Sequence, residues 1–111
     1  MAMLFDKTKI GINKDKLELI NRRRRQILVH SYLYYNMNTN LISDYTFDIW
    51  CKELVQLHKD NPNETLQAVF PKAFKNWTGF TGFDLFKKDK DAESWAYQKA
   101  NYLKTICLQN K

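Results

Sequence analysis

The sequence predicts a mainly α single domain: an antiparallel helical hairpin, then an aromatic-rich covering segment and a C-terminal helix. Three observations carry this. Only 3 Gly and 2 Pro occur among 111 residues, too few for a turn-rich all-β fold. Apolar residues from Lys14 onward recur at helical spacing. A second helix start is then spelled out around Ser43. With 44% apolar and 14% aromatic residues the chain can bury a modest core.

Residues 1–13 read as a flexible N-terminal segment, and 14–111 as the domain. Leu17, Ile20, Ile27, Leu28, Tyr34 and Tyr35 place one apolar face on a long helix ending near Met37. Arg22, Arg23, Arg24 and Arg25 cross that pattern. Arg24 falls near the apolar face, where its stem would pack and its head would reach outward. Asn38-Thr-Asn40 breaks the helix, because Asn tolerates the left-handed conformation.

Ser43 is a natural N-cap and Asp44 suits the positive end of the helix dipole. Ile42 and Phe47 have the spacing of a hydrophobic staple. This helix should run to about Asp60 with Phe47, Trp50, Cys51, Leu54 and Leu57 inward, and Asn61-Pro62 should stop it. Residues 64–70 suggest a short helix, and Pro71 opens a turn containing Phe74. Trp77 to Phe83 is a loop with two glycines, and the aromatics of 74–86 should cover the hairpin's open side. Residues 84–88 read equally as a turn or a short extended piece. Asp91 looks like the cap of a last helix reaching about Leu108, with Trp95, Tyr102, Leu103 and Ile106 inward.

The net charge is +6, and five of these charges fall within residues 1–29. A basic first third attracts nucleic acid or an acidic protein surface, or is simply a solvated helix face. Four consecutive arginines point about 100° apart and cannot share one groove. Basic residues interleaved with aromatics in 72–88 would suit base stacking, or merely cover a core. Cys51 and Cys107 form no CxxC pair and read as buried free thiols. With two His beside them, no metal site is expected. No run of eighteen apolar residues exists, so no membrane span is expected, and the expected location is the cytoplasm.

Asp44 and Asp48 stand four apart on one helical face, opposite Tyr34, Tyr35 and His30 of the first helix. Carboxylates beside aromatic rings would hold a polar, ring-shaped or cationic ligand. The same residues also read as a first-turn acid, an exposed acid with a basic neighbour, and a packed histidine. His58, late in the second helix, would favour the dipole when protonated. No nucleotide-binding glycine loop, zinc-protease, serine-hydrolase or Lys-x-Asp-Gly adenylation motif occurs.

The stretch His30-Ser-Tyr-Leu-Tyr-Tyr-Asn-Met37, then Ile42-Ser-Asp-Tyr-Thr-Phe-Asp48, Glu53-Leu54, Leu57 and Pro62 resembles the N-terminal Ia domain of bacterial NAD-dependent DNA ligases. It covers about residues 27–62. That domain is a small helical module that grips the nicotinamide mononucleotide half of NAD. The resemblance implies that Tyr34, Asp44 and Asp48 sit at positions contacting this moiety. Tyr35 stands where many ligases have a histidine, Phe47 where they have a tyrosine, and Asn61 where they have the histidine of His-Pro.

Phe70, Phe74, Trp77 and Thr81-Gly-Phe-Asp-Leu85 make the second half similar to small stand-alone proteins of phages and prophages of low-GC Gram-positive bacteria. The ligase's adenylation, OB-fold and helix-hairpin-helix parts are not in these 111 residues. Three functional expectations follow. The first is a non-catalytic accessory protein that binds a host or phage protein, modulating replication or defence. The second is a binder of nicotinamide mononucleotide or NAD through His30, Tyr34, Tyr35, Asp44, Phe47 and Asp48. The third is a nucleic-acid-binding protein acting through Arg22 to Arg25. The oligomeric state is left open.

Overall fold

The structure is a computed structural model and describes residues 12–79, 82 and 84–109. The expected flexible segment 1–13 therefore lies almost wholly outside the described residues, as do Phe80, Thr81 and Phe83 of the aromatic loop. Among the described residues six helices follow in order: α1 (Lys14–Met37), α2 (Asp44–Asp60), α3 (Pro62–Gln67), α4 (Pro71–Phe74), α5 (Leu85–Lys88) and α6 (Lys90–Gln109). No strand occurs among the described residues, so the expected mainly α fold is observed. No described helix is long and apolar enough to cross a membrane.

Helix α1 begins where Asn13 Oδ1 accepts from the backbone N–H of Asp15 and Lys16 at 3.0 and 3.1 Å. Asn13 in turn donates its own N–H to the buried Glu64 carboxylate, tying the start of α1 to α3. Asn38 ends α1 in the left-handed region at φ 49°. Ser43 Oγ accepts from Thr46 N–H at 3.0 Å and starts α2. Both hairpin boundaries thus fall where their local chemistry put them.

Helix α1 is flanked on two sides, by α2 and α3 on one and by α6 on the other. It therefore buries more than the single stripe the spacing suggested: Ile20, Ile27 and Leu28 are joined by Val29, Ser31 and Leu33. Tyr34 and Tyr35, expected on the apolar face, stay 49% and 41% exposed beside the hairpin turn. Tyr32 goes elsewhere and packs edge-on against Phe86 and Tyr97.

Several expectations for the second half are corrected. Pro62 stops α2 but also opens α3 at its first position, where its missing N–H costs nothing, so the short helix is 62–67 rather than 64–70. Residues 85–88 are helical. Asp89, not Asp91, caps α6, its carboxylate accepting from Ala92 N–H at 3.0 Å. Asp91 lies in the first turn, where the dipole still favours it. The inward face of α6 is Ala92, Ala96 and Ala100, all fully buried, with Trp95 and Leu103 flanking them. Tyr102 is 63% exposed, because two residues beyond Ala100 is about 200° round the helix. Alanines every four residues bring the backbones of α1 and α6 close, which larger side chains would prevent.

Candidate functional site

The described residues enclose one cleft at the hairpin's turn, with a volume of about 320 Å³. Tyr34, Tyr35 and His30 come to it from α1, and Asp44, Phe47 and Asp48 from the first two turns of α2. All six residues proposed from the sequence therefore line a single concavity. The hairpin explains why. Residues i and i+4 on each helix share a face, and the turn at 38–43 brings the C-terminal end of α1 beside the N-terminal end of α2.

Cys51, expected inward on α2, also lines the cleft, with two residues the sequence did not single out, Ser31 and Gly79. Gly79 has φ +85° and lies so close to α2 that a Cβ there would stand 2.5 Å from Val55 Cγ2. Gly82 lies closer still to Ser31, whose buried hydroxyl has no hydrogen-bond partner among the described residues. The two glycines three apart in Trp77-Thr-Gly-Phe-Thr-Gly were the readable signal for this approach, because a segment pressed on two helices needs positions without a Cβ. Phe86, one of the aromatics expected to cover the hairpin's open side, is buried against Tyr32.

The rings of Tyr34 and Tyr35 meet edge-on, 4.8 Å between centroids. His30 packs edge-on against Trp50 at 5.4 Å, and burial lowers its pKa, keeping the imidazole neutral near pH 7. Burial, helped by the Asp48 charge, pushes the Cys51 thiol up to about 12, so it is an inert wall atom. Asp48 pairs with Lys52 at 3.0 Å on the exposed side of α2. Among the described residues no lysine or arginine lines the cleft, so two carboxylates, one of them paired with Lys52, stand at an aromatic mouth.

The four arginines do not act together. Arg22 is exposed and 3.8 Å from Glu18, and Arg25 is exposed. Arg23 binds Glu53 at 2.8 Å and lies over the Trp50 ring, which links α1 to α2. Arg24 overturns the expectation of an outward head. It is 2% exposed, and its guanidinium donates to His58 Nε2 at 3.2 Å, to the Val69 carbonyl at 2.7 Å and to the Thr65 carbonyl at 3.3 Å, above the Phe74 ring. These carbonyls belong to the end of α3 and the link to α4, so Arg24 is an internal strut. His58 is correspondingly no dipole-bound cation. Burial and the adjacent Arg24 lower its pKa to about 4.

The described rings of the 72–88 segment likewise give base stacking no support. Phe74 and Phe86 are buried, and Trp77 is edge-on against Phe74 at 5.1 Å. Cys51 and Cys107 are both free, Cys107 only half-buried. No cluster of three metal-ligating side chains occurs among the described residues.

Sequence comparison finds this chain similar to DNA ligases. One, from Malacoplasma penetrans, is 36% identical over 62 residues, 51% of this chain and 9% of that ligase. Another, from Flavobacterium psychrophilum, is 39% identical over 66 residues, 55% of this chain and 10% of the ligase. The chain thus spans about a tenth of the length of these curated relatives. No family model and no solved structure matches it. The ligase likeness read from the hairpin is therefore supported. The expectation that the protein is no enzyme is overturned, because the relatives sharing this segment are enzymes.

Proposed function

We propose that the hairpin cleft binds the nicotinamide mononucleotide part of NAD, as the ligand-holding element of a ligase-like protein. The observation that carries the reading is the convergence of Tyr34, Tyr35, Asp44, Phe47, Asp48 and His30 on one cleft of about 320 Å³. This lies at the lower end of the roughly 300–1,000 Å³ typical of small-molecule sites, and suits a mononucleotide better than a whole dinucleotide.

Each residue type has a task in this reading. Tyr34, Tyr35 and Phe47 offer ring faces and edges to a flat pyridinium. Asp44 and Asp48 accept from ribose hydroxyls and balance the ring's positive charge, and a carboxylate acceptor makes such hydrogen bonds stronger than a neutral one would. His30, neutral, offers one donor and one acceptor without adding repulsion. The phosphate has no cationic partner among the described lining residues, so it points out of the mouth, where a further protein part can take it. The expected host or phage protein partner has no comparable arrangement of residues in its favour.

Isothermal calorimetry tests the reading with three ligands. Oxidised nicotinamide mononucleotide should bind. Its reduced form, with a neutral ring, should bind about tenfold more weakly, the size of one partly desolvated cation–ring contact. Asp48→Ala should abolish the heat while leaving the circular dichroism spectrum unchanged. No heat from any form at millimolar concentration, or equal binding of adenosine monophosphate, would refute the proposal.

A further inference from the structure

One buried polar group in the cleft is left over by the fold. Ser31 is fully buried and lines the cleft with Cys51 and Gly79. Its Oγ is the one buried side-chain nitrogen or oxygen without a hydrogen-bond partner among the described residues. We propose, resting on the nicotinamide reading of the cleft, that the Ser31 hydroxyl recognises the carboxamide of the ring. It thereby makes the cleft selective for the amide over the corresponding acid and over a pyridinium without a substituent.

The other buried polar side chains are all answered within the fold. Arg24 donates to His58, Val69 and Thr65, Glu64 accepts from Asn13 N–H, and Asp89 accepts from Ala92 N–H. A buried hydroxyl left unpaired costs stability that a methyl group in its place would not. Alanine would fill this position of α1 without that cost, so packing alone does not account for the oxygen. Gly82 roofs it on one side, where a Cβ would stand 1.9 Å from Oγ. The cleft that Ser31 lines is where a partner can reach it.

The surroundings select a neutral partner. A serine hydroxyl both donates and accepts, and a carboxamide offers an acceptor oxygen together with donor N–H groups. The neighbouring Cys51 thiol stays protonated, its pKa pushed up to about 12 by burial and the Asp48 charge. Asp44 and Asp48 line the cleft, and among the described residues no lysine or arginine does. A carboxylate on the ring would therefore give up its hydration without meeting a counter-ion. A ring with no substituent would leave the hydroxyl unpaired, and a site holding such a group discriminates against ligands that cannot answer it.

Isothermal calorimetry near neutral pH tests this with three ligands, on the wild type and on Ser31→Ala. The ligands are nicotinamide mononucleotide, nicotinic acid mononucleotide and the pyridine mononucleotide that lacks a ring substituent. The wild type should bind the amide about three- to tenfold more tightly than the unsubstituted ring, the size of one net hydrogen bond, and the acid more weakly than either. Ser31→Ala should bring the amide down to the affinity of the unsubstituted ring, whose own binding should not change. Without ligand the variant should melt at or above the wild-type temperature, because it sheds an unpaired buried hydroxyl. The proposal is overturned if the variant binds the amide like the wild type, weakens amide and unsubstituted ring alike, or melts below the wild type. Acid binding as tight as that of the amide would overturn it too. A wild type that binds none of the three ligands refutes the nicotinamide reading itself and this proposal with it, so the two failures are told apart.

Discussion

Acidification should weaken this fold through one identifiable contact. His58 Nε2 accepts from Arg24 Nε at 3.2 Å, which it can do only while neutral, and protonation would set two cations against each other in a closed space. Its folded pKa is lowered from 6.5 to about 4. The sign follows from linkage. Between these two values the unfolded chain binds the proton and the folded one does not, so stability rises with pH across the window. The contribution is complete above about pH 6.5 and is lost as pH falls toward 4, to a total of about 3 kcal/mol. Burial lowers the pKa of His30 with the same sign, so the wild-type slope alone does not isolate His58. His58→Gln does, because its carbonyl keeps an acceptor for Arg24 but does not titrate. Urea unfolding of both proteins at intervals from pH 7 to 4 should show the wild type losing about 3 kcal/mol more than the variant. Parallel loss in the two proteins, or a His58 imidazole titrating near 6.5 by NMR, would refute the buried Arg24–His58 contact.

Four further substitutions probe the surfaces that shape the hairpin and its cleft. Gly79→Ala should destabilise by about 1–3 kcal/mol in thermal unfolding, because φ is positive there and Val55 stands in the way. Ala96→Leu should cost about 1–3 kcal/mol in urea unfolding, since the added volume must part α1 and α6, whereas Tyr102→Leu should stay within about 0.5 kcal/mol. Ser43→Ala should cost about 1 kcal/mol by the same assay, because it orphans Thr46 N–H at the start of α2.

The hairpin was legible because its signals are local. Asn38 and Ser43 act within a turn of themselves, and the Tyr34–Asp48 end follows once the two helices are antiparallel. What could not be read depends on elements distant in sequence. Arg24 looked like a snorkelling surface residue because its three partners, His58, Thr65 and Val69, lie 34 to 45 residues away. Apolar spacing on α6 named Tyr102 because large residues weigh most in such patterns. Packing chose the alanines, because the space between α1 and α6 admits only small side chains. The candidate site was the better-read half of the problem: its six predicted residues meet, and only its floor, set by Gly79 and Ser31, needed three dimensions.

Amide chemical-shift mapping with oxidised nicotinamide mononucleotide tests most directly whether the cleft holds a nicotinamide nucleotide. The largest changes should fall on His30, Tyr34, Tyr35, Asp44, Phe47 and Asp48, with Ala92, Ala96 and Ala100 unmoved. Saturating ligand that leaves those six amides in place would contradict this placement.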